Sequence, residues 1–121
     1  MVWCEVINRE DASAEEGARC AALMNEVLTK RVLAPHTTYR ALVFDVRRGP
    51  QAFGPKTRLS LEQIFNAAKA AERRVAVIVG PSATQRMQFG NLSLECAPRH
   101  SQVFRDELSA RDWLDQEAVA R

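Results

Sequence analysis

Short apolar runs alternate along the chain with longer segments in which apolar residues recur every three or four positions. The runs are rich in β-branched and aromatic residues, as is typical of strands, and the segments between them have the spacing of amphipathic helices. The predicted strands are Val2 to Ile7, Ala41 to Val46, Val75 to Val79 and Gln102 to Arg105. This alternation predicts a β-α-β-α-β-α-β-α order and a largely parallel sheet with helices on its faces.

Serine residues mark the predicted starts of the first and third helices. Ser13 precedes Glu16, and Ser82 precedes Gln85, by the spacing of a capping box, in which two side chains satisfy exposed amide groups reciprocally. The predicted buried face of the first helix contains Gly17, Cys20, Ala21, Met24, Val27 and Leu28.

The second helix has two possible starts. Gly54-Pro55 would place proline in the first turn, where its missing N–H does no harm, whereas Ser60 would cap a later start. Asp106 or Ser109 is expected to cap the last helix, and residues 115–121 are expected to fray. This helix is expected to bury Leu108, Trp113 and Leu114.

Length and composition fit one soluble domain spanning residues 1–121. The chain has 121 residues, of which 46% are apolar and 26% charged, as in ordinary globular proteins. The net charge is only +2 and the basic residues are spread along the sequence, so a nucleic-acid partner is not expected. No apolar run approaches the roughly 20 residues that span a bilayer, and the start does not resemble a signal peptide. We therefore expect a cytoplasmic protein.

Groups that carry chemistry are few. Cys4, Cys20 and Cys96 have no metal-binding spacing and are expected to be buried, reduced thiols. The sequence contains no Walker loop, no GxGxxG fingerprint and no nucleophile elbow, so neither a cofactor, a metal nor catalysis is expected. Asp45 ends a strand and could be a catalytic or metal carboxylate, but such a residue more often forms a local salt bridge, here with Arg47 or Lys56.

The carboxyl ends of parallel strands meet at one rim of the sheet, which is where open α/β sheets bind ligands. Free N–H groups at two helix starts, with basic neighbours, could hold a phosphate or carboxylate there. The residues of this predicted ligand site are Asp45, Gly80, Ser82 and Arg86. The opposing interpretation is that Ser60 and Ser82 satisfy those N–H groups themselves.

Three segments carry a family resemblance: the strand ALVFDV, the stretch RRVAVIVGPSATQRMQF and the closing VFRDELSARDWL. In their order and pattern they resemble STAS domains, in particular the stand-alone bacterial relatives of anti-sigma factor antagonists. The resemblance covers Tyr39 to Leu114. It implies a small α/β sandwich with a mostly parallel or mixed sheet of about four or five strands, flanked by about four helices. It also implies a non-catalytic protein that binds a signalling regulator or kinase, with a serine or threonine at a loop–helix junction as the phosphorylation site.

The chain departs from this family in two places. The family's serine would fall near Phe53, Gly54 or Pro55, none of which has a hydroxyl, so Thr57 and Ser60 are the nearest candidates for phosphorylation. Residues 1–38 are also atypical, because one strand leads into a long helix where STAS domains begin with a strand pair. This difference allows a variant sheet or a first strand that pairs across a dimer.

These observations lead to two hypotheses for function. The first is a protein-interaction module in bacterial cytoplasmic signalling that docks through the loop 47–58, where two prolines stiffen the chain. Its predicted contact residues are Arg47, Arg48, Gln51, Phe53, Lys56 and Thr57. Phe53 either plugs the core or presents itself to a partner. The second hypothesis is a small-ligand or nucleotide-binding domain that uses the strand-end rim, and a homodimer formed through the first helix is a further possibility.

Overall fold

The computed structural model describes residues 2–7, 13–33, 39 and 41–119. Its elements are β1 (Val2–Glu5), α1 (Ala14–Arg31), β2 (Ala41–Asp45), α2 (Pro55–Ala70), β3 (Arg74–Ile78), α3 (Ala83–Cys96), β4 (Ser101–Phe104) and α4 (Glu107–Val119). The predicted alternation of strands and helices is confirmed. The segment around Pro35 and His36, which the sequence predicts to be a loop, lies outside the described residues.

The four strands form one parallel sheet in the order β1-β2-β3-β4. β1 pairs with β2 of the same chain, with Val2 opposite Leu42 and Glu5 opposite Asp45. The first strand therefore belongs to its own sheet, and the alternative of a strand that pairs across a dimer is not what this structure has. Because all the strands run the same way, their carboxyl ends and the helix starts that follow lie at one rim.

Helices cover the two faces of the sheet unequally. Side chains alternate between the faces of a strand, so Leu42 and Phe44 of β2 point into a large core with α1, α2 and α3, whereas Val43 points to the side of α4. The helical part of the large core includes Leu28, Leu61, Ile64, Phe65, Phe89 and Leu92. The smaller core consists of Val43, Ala76 and Ile78 with Ala110 and Leu114.

Two tryptophans, Trp3 of β1 and Trp113 of α4, pack against the smaller core on the face of the sheet that α4 covers. The guanidinium of Arg111 lies 5.2 Å from the ring centroid of Trp3, and that of Arg74 lies 5.5 Å from the ring centroid of Trp113. Trp113 also packs against Phe104, with 5.6 Å between the ring centroids. These stacked pairs shield the apolar face beside a single helix, because aromatic rings bring a large area and attract cations.

The capping residues explain where the helices begin. Ser13 Oγ accepts a hydrogen bond from the Glu16 amide at the start of α1, and Ser82 Oγ accepts one from the Gln85 amide at the start of α3. For α2 the structure selects the earlier start at Pro55, so Ser60 lies within the helix. Before α4, the Asp106 carboxylate accepts hydrogen bonds from the amide and hydroxyl of Ser109, and the amide bond in particular holds the pKa of Asp106 below its usual range.

Several residues predicted to be buried on α1 are exposed. Ala21 and Leu28 are buried, but Gly17, Cys20 and Val27 face outward. The reason is position: α1 lies beside the edge strand β1 and packs mainly on α2, so only a narrow stripe of it is covered.

On α4 the prediction is wrong for Leu108, which is 70% exposed, whereas Leu114 is buried and Trp113 half-buried. Ala110 and Leu114, one helical turn apart, form the stripe that contacts the sheet. The helix also continues through Val119, well into the segment that was expected to fray. None of the helices in the described ranges is long and apolar enough to cross a membrane.

Candidate functional site: the strand-end rim

The end of β2 carries a carboxylate fixed by its own neighbour. Asp45 is almost fully buried, and both of its carboxylate oxygens accept hydrogen bonds from the Arg47 guanidinium, Oδ1 from Nε at 3.0 Å and Oδ2 from an Nη at 2.7 Å. The Arg47 amide also donates to Oδ1 at 3.2 Å. The hydrogen bonds from Arg47 hold the pKa of Asp45 below its usual range, so this carboxyl is a poor proton donor or acceptor near neutral pH. The predicted local salt bridge with Arg47 is confirmed.

Residues 46–54, which we call the rim loop, are held by the side chain of Gln85 on α3. Gln85 is only 2% exposed. Its Nε2 donates to the carbonyl oxygens of Val46 at 2.7 Å and Pro50 at 3.0 Å, and its Oε1 accepts from the Gly80 amide at 2.8 Å. One carboxamide therefore joins the ends of β2 and β3 to the middle of the rim loop.

A second carboxamide fixes the far end of the rim loop. The side chain of Gln88 accepts a hydrogen bond from the Phe53 amide at 3.0 Å and donates one to the Phe53 carbonyl at 2.9 Å, as a neighbouring strand would. The Ser82 hydroxyl donates to the carbonyl oxygen of Gln51 at 3.3 Å. Three side chains from the start of α3 thus bind the rim loop backbone along its length.

Phe53 anchors the rim loop in the core. Its ring packs edge-on against Phe89 of α3, with 5.2 Å between the ring centroids, and the side chain is half-buried. The sequence left open whether Phe53 packs into the core or is presented to a partner. The structure favours packing into the core, although part of the Phe53 side chain remains accessible.

The charged side chains of the rim loop point outward. Arg47 is 41% exposed despite its contact with Asp45, and Arg48 is 71% exposed, with an Nη 3.3 Å from a carboxylate oxygen of Glu5. Gln51 and Lys56 are exposed as well. Four of the predicted partner residues, Arg47, Arg48, Gln51 and Lys56, are therefore accessible, and the backbone of the rim loop is held by α3 side chains.

The two candidate hydroxyls differ in access. Thr57 lies in the first turn of α2 and is half-exposed, whereas Ser60 is buried within the helix. α2 has Gly54 at its N-cap without a side-chain hydrogen bond. Of the two, Thr57 is the hydroxyl that a kinase would reach.

The residues of the predicted ligand site are close together but largely engaged with one another. Gly80 donates its amide to Gln85, Ser82 accepts from the Gln85 amide, and Asp45 is paired with Arg47. Arg86 is half-exposed in the first turn of α3. In addition, the order of the described strands does not reverse, so their sheet lacks the crevice at a topological switch point in which such folds bind ligands.

Sequence reasoning missed the role of the two α3 glutamines, Gln85 and Gln88. The capping-box interpretation expected Gln85 to bond back to the amide of Ser82, but its carboxamide reaches Gly80 and the rim loop instead. The available signal was a pair of glutamines one helical turn apart directly after a predicted cap.

The thiols are not all buried. Cys20 is exposed on α1, which corrects the prediction, and Cys4 and Cys96 are half-buried and free, with burial raising the pKa of both thiols. Among the residues that the structure describes, no three His, Cys, Asp or Glu side chains are grouped closely enough to hold a metal ion.

Two apolar side chains of α1 are also exposed, Leu23 at 63% and Val27 at 44%. Such a face would suit a second copy of the chain, but no described contact shows what covers it, so the homodimer stays a prediction.

Comparisons with known proteins do not assign this chain to a family. No protein-family model matches the chain, and no match was found among curated proteins or solved structures.

Proposed function

We propose that the protein is a non-catalytic, STAS-like interaction module of bacterial cytoplasmic signalling that docks on a protein partner through residues 47–58. The observation that carries this proposal is the clamp on the rim loop. Side chains of Ser82, Gln85 and Gln88 hold its backbone, while the basic side chains beside it remain accessible.

The clamp matters because docking usually requires a loop to lose conformational freedom. Ordering each flexible side chain at an interface costs about 0.5–1.5 kcal/mol, and loop ordering adds to this cost. A rim loop that is already fixed at Val46, Pro50, Gln51 and Phe53 avoids much of the loop contribution. The rim is thus better suited to rigid docking than an unsupported loop would be.

The charges on the rim indicate the chemistry of the partner surface. Lys56 is exposed next to the half-exposed Thr57, and Arg48 is exposed on the rim loop. An acidic patch on the partner would complement the two cations and accelerate association. Phosphorylation of Thr57 would add about −1.5 to −2 charges beside Lys56 and would therefore weaken such an interface.

The resemblance to STAS domains supports the signalling role, and the α/β architecture is compatible with it. The parallel sheet and the atypical residues 1–38 are where the chain differs from that family's usual plan. A small-ligand or nucleotide-binding role at the same rim is less well supported, because Gln85 and Ser82 already occupy polar groups there.

The proposal is tested by co-purification from cells of the organism that encodes the chain. We expect the double variant Arg48→Glu/Lys56→Glu to lose at least one protein that co-purifies with the wild type. The matched control is Arg19→Glu/Arg31→Glu, which makes the same charge change at exposed positions of α1. Identical partner sets for all three proteins would refute docking through residues 47–58.

A further inference from the structure

A cavity of about 360 Å³ lies at the edge of the sheet opposite the rim. Its walls come from Lys69, in the last turn of α2, and from Pro98, Arg99 and His100, in the turn between α3 and β4. Its volume is at the lower end of the range of small-molecule sites, about 300–1,000 Å³. The sequence did not predict a site here, because these residues are about one helix–strand unit apart in the chain.

The cavity concentrates positive charge. Lys69 and Arg99 carry positive charges, His100 adds an imidazole, and none of the lining residues that the structure describes is acidic. Within the described ranges, the side chains of these three residues have no hydrogen-bond or ion-pair partner, and they are not among those with further contacts. Three side chains that carry hydrogen-bond donors therefore border one concave surface.

Two carboxylates of the surrounding helices, those of Glu62 and Glu95, are engaged by another cation. Glu62 and Glu95 belong to the same region, since they and Lys69 all act on the pKa of Cys96. Both carboxylates are engaged by the guanidinium of Arg58, which contacts Glu62 at 2.8 Å and also binds Glu95. Their charge is thus largely shared with Arg58, and among the described residues no carboxylate forms an ion pair with Lys69 or Arg99.

Compensation of helix dipoles accounts for only part of this pattern. A lysine in the last turn is favourable near the negative end of a helix, which explains Lys69 on α2. The last turn of α3 has no basic residue, and Arg99 and His100 follow only after its end, in the turn that leads into β4. Helix dipoles therefore do not account for the presence of Arg99 and His100 beside Lys69 in the cavity lining.

We propose that this cavity binds a small phosphate monoester. Arg99 can donate two parallel hydrogen bonds to phosphate oxygens, Lys69 supplies a second positive charge, and His100 supplies a third donor. Two positively charged side chains match a phosphate dianion better than a singly charged carboxylate. Pro98 and the carbon chains of Lys69 and Arg99 provide apolar contact for the organic part of the molecule.

The site is tested by NMR titration of the whole chain with phenyl phosphate, with phenol and inorganic phosphate as comparison probes. The imidazole signals of His100 report on binding, and His36 is the other histidine of the chain. We expect a saturable shift of the His100 signals with phenyl phosphate, a weaker one with inorganic phosphate, and none with phenol. No saturable shift of His100, or an equal response to phenol, would overturn the proposal.

Charge-matched variants separate a specific site from general attraction of anions. Arg99→Gln is expected to weaken binding of phenyl phosphate at least about tenfold, because it removes charge-assisted hydrogen bonds. Arg19→Gln removes the same charge at an exposed position of α1 and should leave binding unchanged. Equal weakening by both variants would refute a site at the cavity. Neither outcome bears on protein docking at the rim, which uses other residues.

Discussion

The carboxamide of Gln85 should stabilise the domain more than any surface contact of the rim loop. In Gln85→Met the side chain keeps its unbranched shape but loses three hydrogen bonds, those to Val46, Pro50 and Gly80. The loss affects the three hydrogen-bond partners of Gln85 unequally. The Val46 carbonyl keeps the hydrogen bond from the Gly49 amide, and the exposed Pro50 carbonyl can bind water. The Gly80 amide loses the acceptor that it has in this structure.

The magnitude follows from these differences. A lost hydrogen bond costs about 0.5–1.5 kcal/mol net, and a donor left unsatisfied in a buried setting costs about 1–3 kcal/mol. Gly80 is half-exposed, so the cost there lies in the lower part of that range. Together with a smaller cost at Val46, it predicts a decrease in the free energy of unfolding of about 1.5–3 kcal/mol. The measurement is urea denaturation of the wild type and the variant, followed by circular dichroism.

Hydrogen exchange shows whether the loss is local to the clamp. The amide of Gly80 should exchange faster in Gln85→Met than in the wild type, because its acceptor is gone. Gln102→Met is the matched control on the exposed side of β4 and should change stability by less than about 0.5 kcal/mol. A loss below about 1 kcal/mol in Gln85→Met, with unchanged exchange at Gly80, would refute the role of Gln85 as a clamp.

Two further predictions concern Asp45 at the end of β2 and the two glycines Gly80 and Gly90. Because hydrogen bonds from Arg47 lower the pKa of Asp45 in the folded protein, the carboxylate stabilises the fold above its unfolded pKa of about 4 and loses this effect as the pH falls. Asp45→Asn should thus cost about 1–2 kcal/mol at pH 7 and less at pH 3, as measured by urea denaturation; a difference that grows in acid would contradict this. A Cβ at Gly80 would lie 3.1 Å from the Arg47 carbonyl oxygen, whereas one at Gly90 has open space. In thermal unfolding, Gly80→Ala should therefore be less stable than the wild type by about 1 kcal/mol. Gly90→Ala, inside α3, should be more stable by about 0.5–1 kcal/mol. A stabilised Gly80→Ala together with a destabilised Gly90→Ala would be inconsistent with the structure.

Much of the fold follows from local pattern in the sequence. Strand composition and helix spacing predicted the alternation, and Ser13 and Ser82 marked two helix starts correctly. The parallel arrangement then placed the rim loop and the start of α3 at a common edge, as expected from topology alone. These features depend on residues that are close together in the chain, or on a rule that applies to every parallel sheet.

What the sequence did not predict depends on contacts between distant segments. Gln85 binds a carbonyl 39 residues away, and no local pattern distinguishes this role from a capping box. The apolar spacing of α1 predicted a buried face but not that a helix above an edge strand leaves Val27 exposed. Likewise, Lys69 and Arg99 have no relation in the sequence, and only the fold places them around one cavity.

The central claim is that the rim loop presents a preformed surface to a protein partner, and site-specific photo-crosslinking tests it most directly. A benzophenone amino acid would replace Arg48 on the rim in one protein and Arg19 on α1 in another, both exposed positions. After irradiation of cells of the organism that encodes the chain, we predict a discrete adduct with another polypeptide from position 48 and none of that mass from position 19. The absence of an adduct from position 48, or the same adduct from both positions, would contradict the claim.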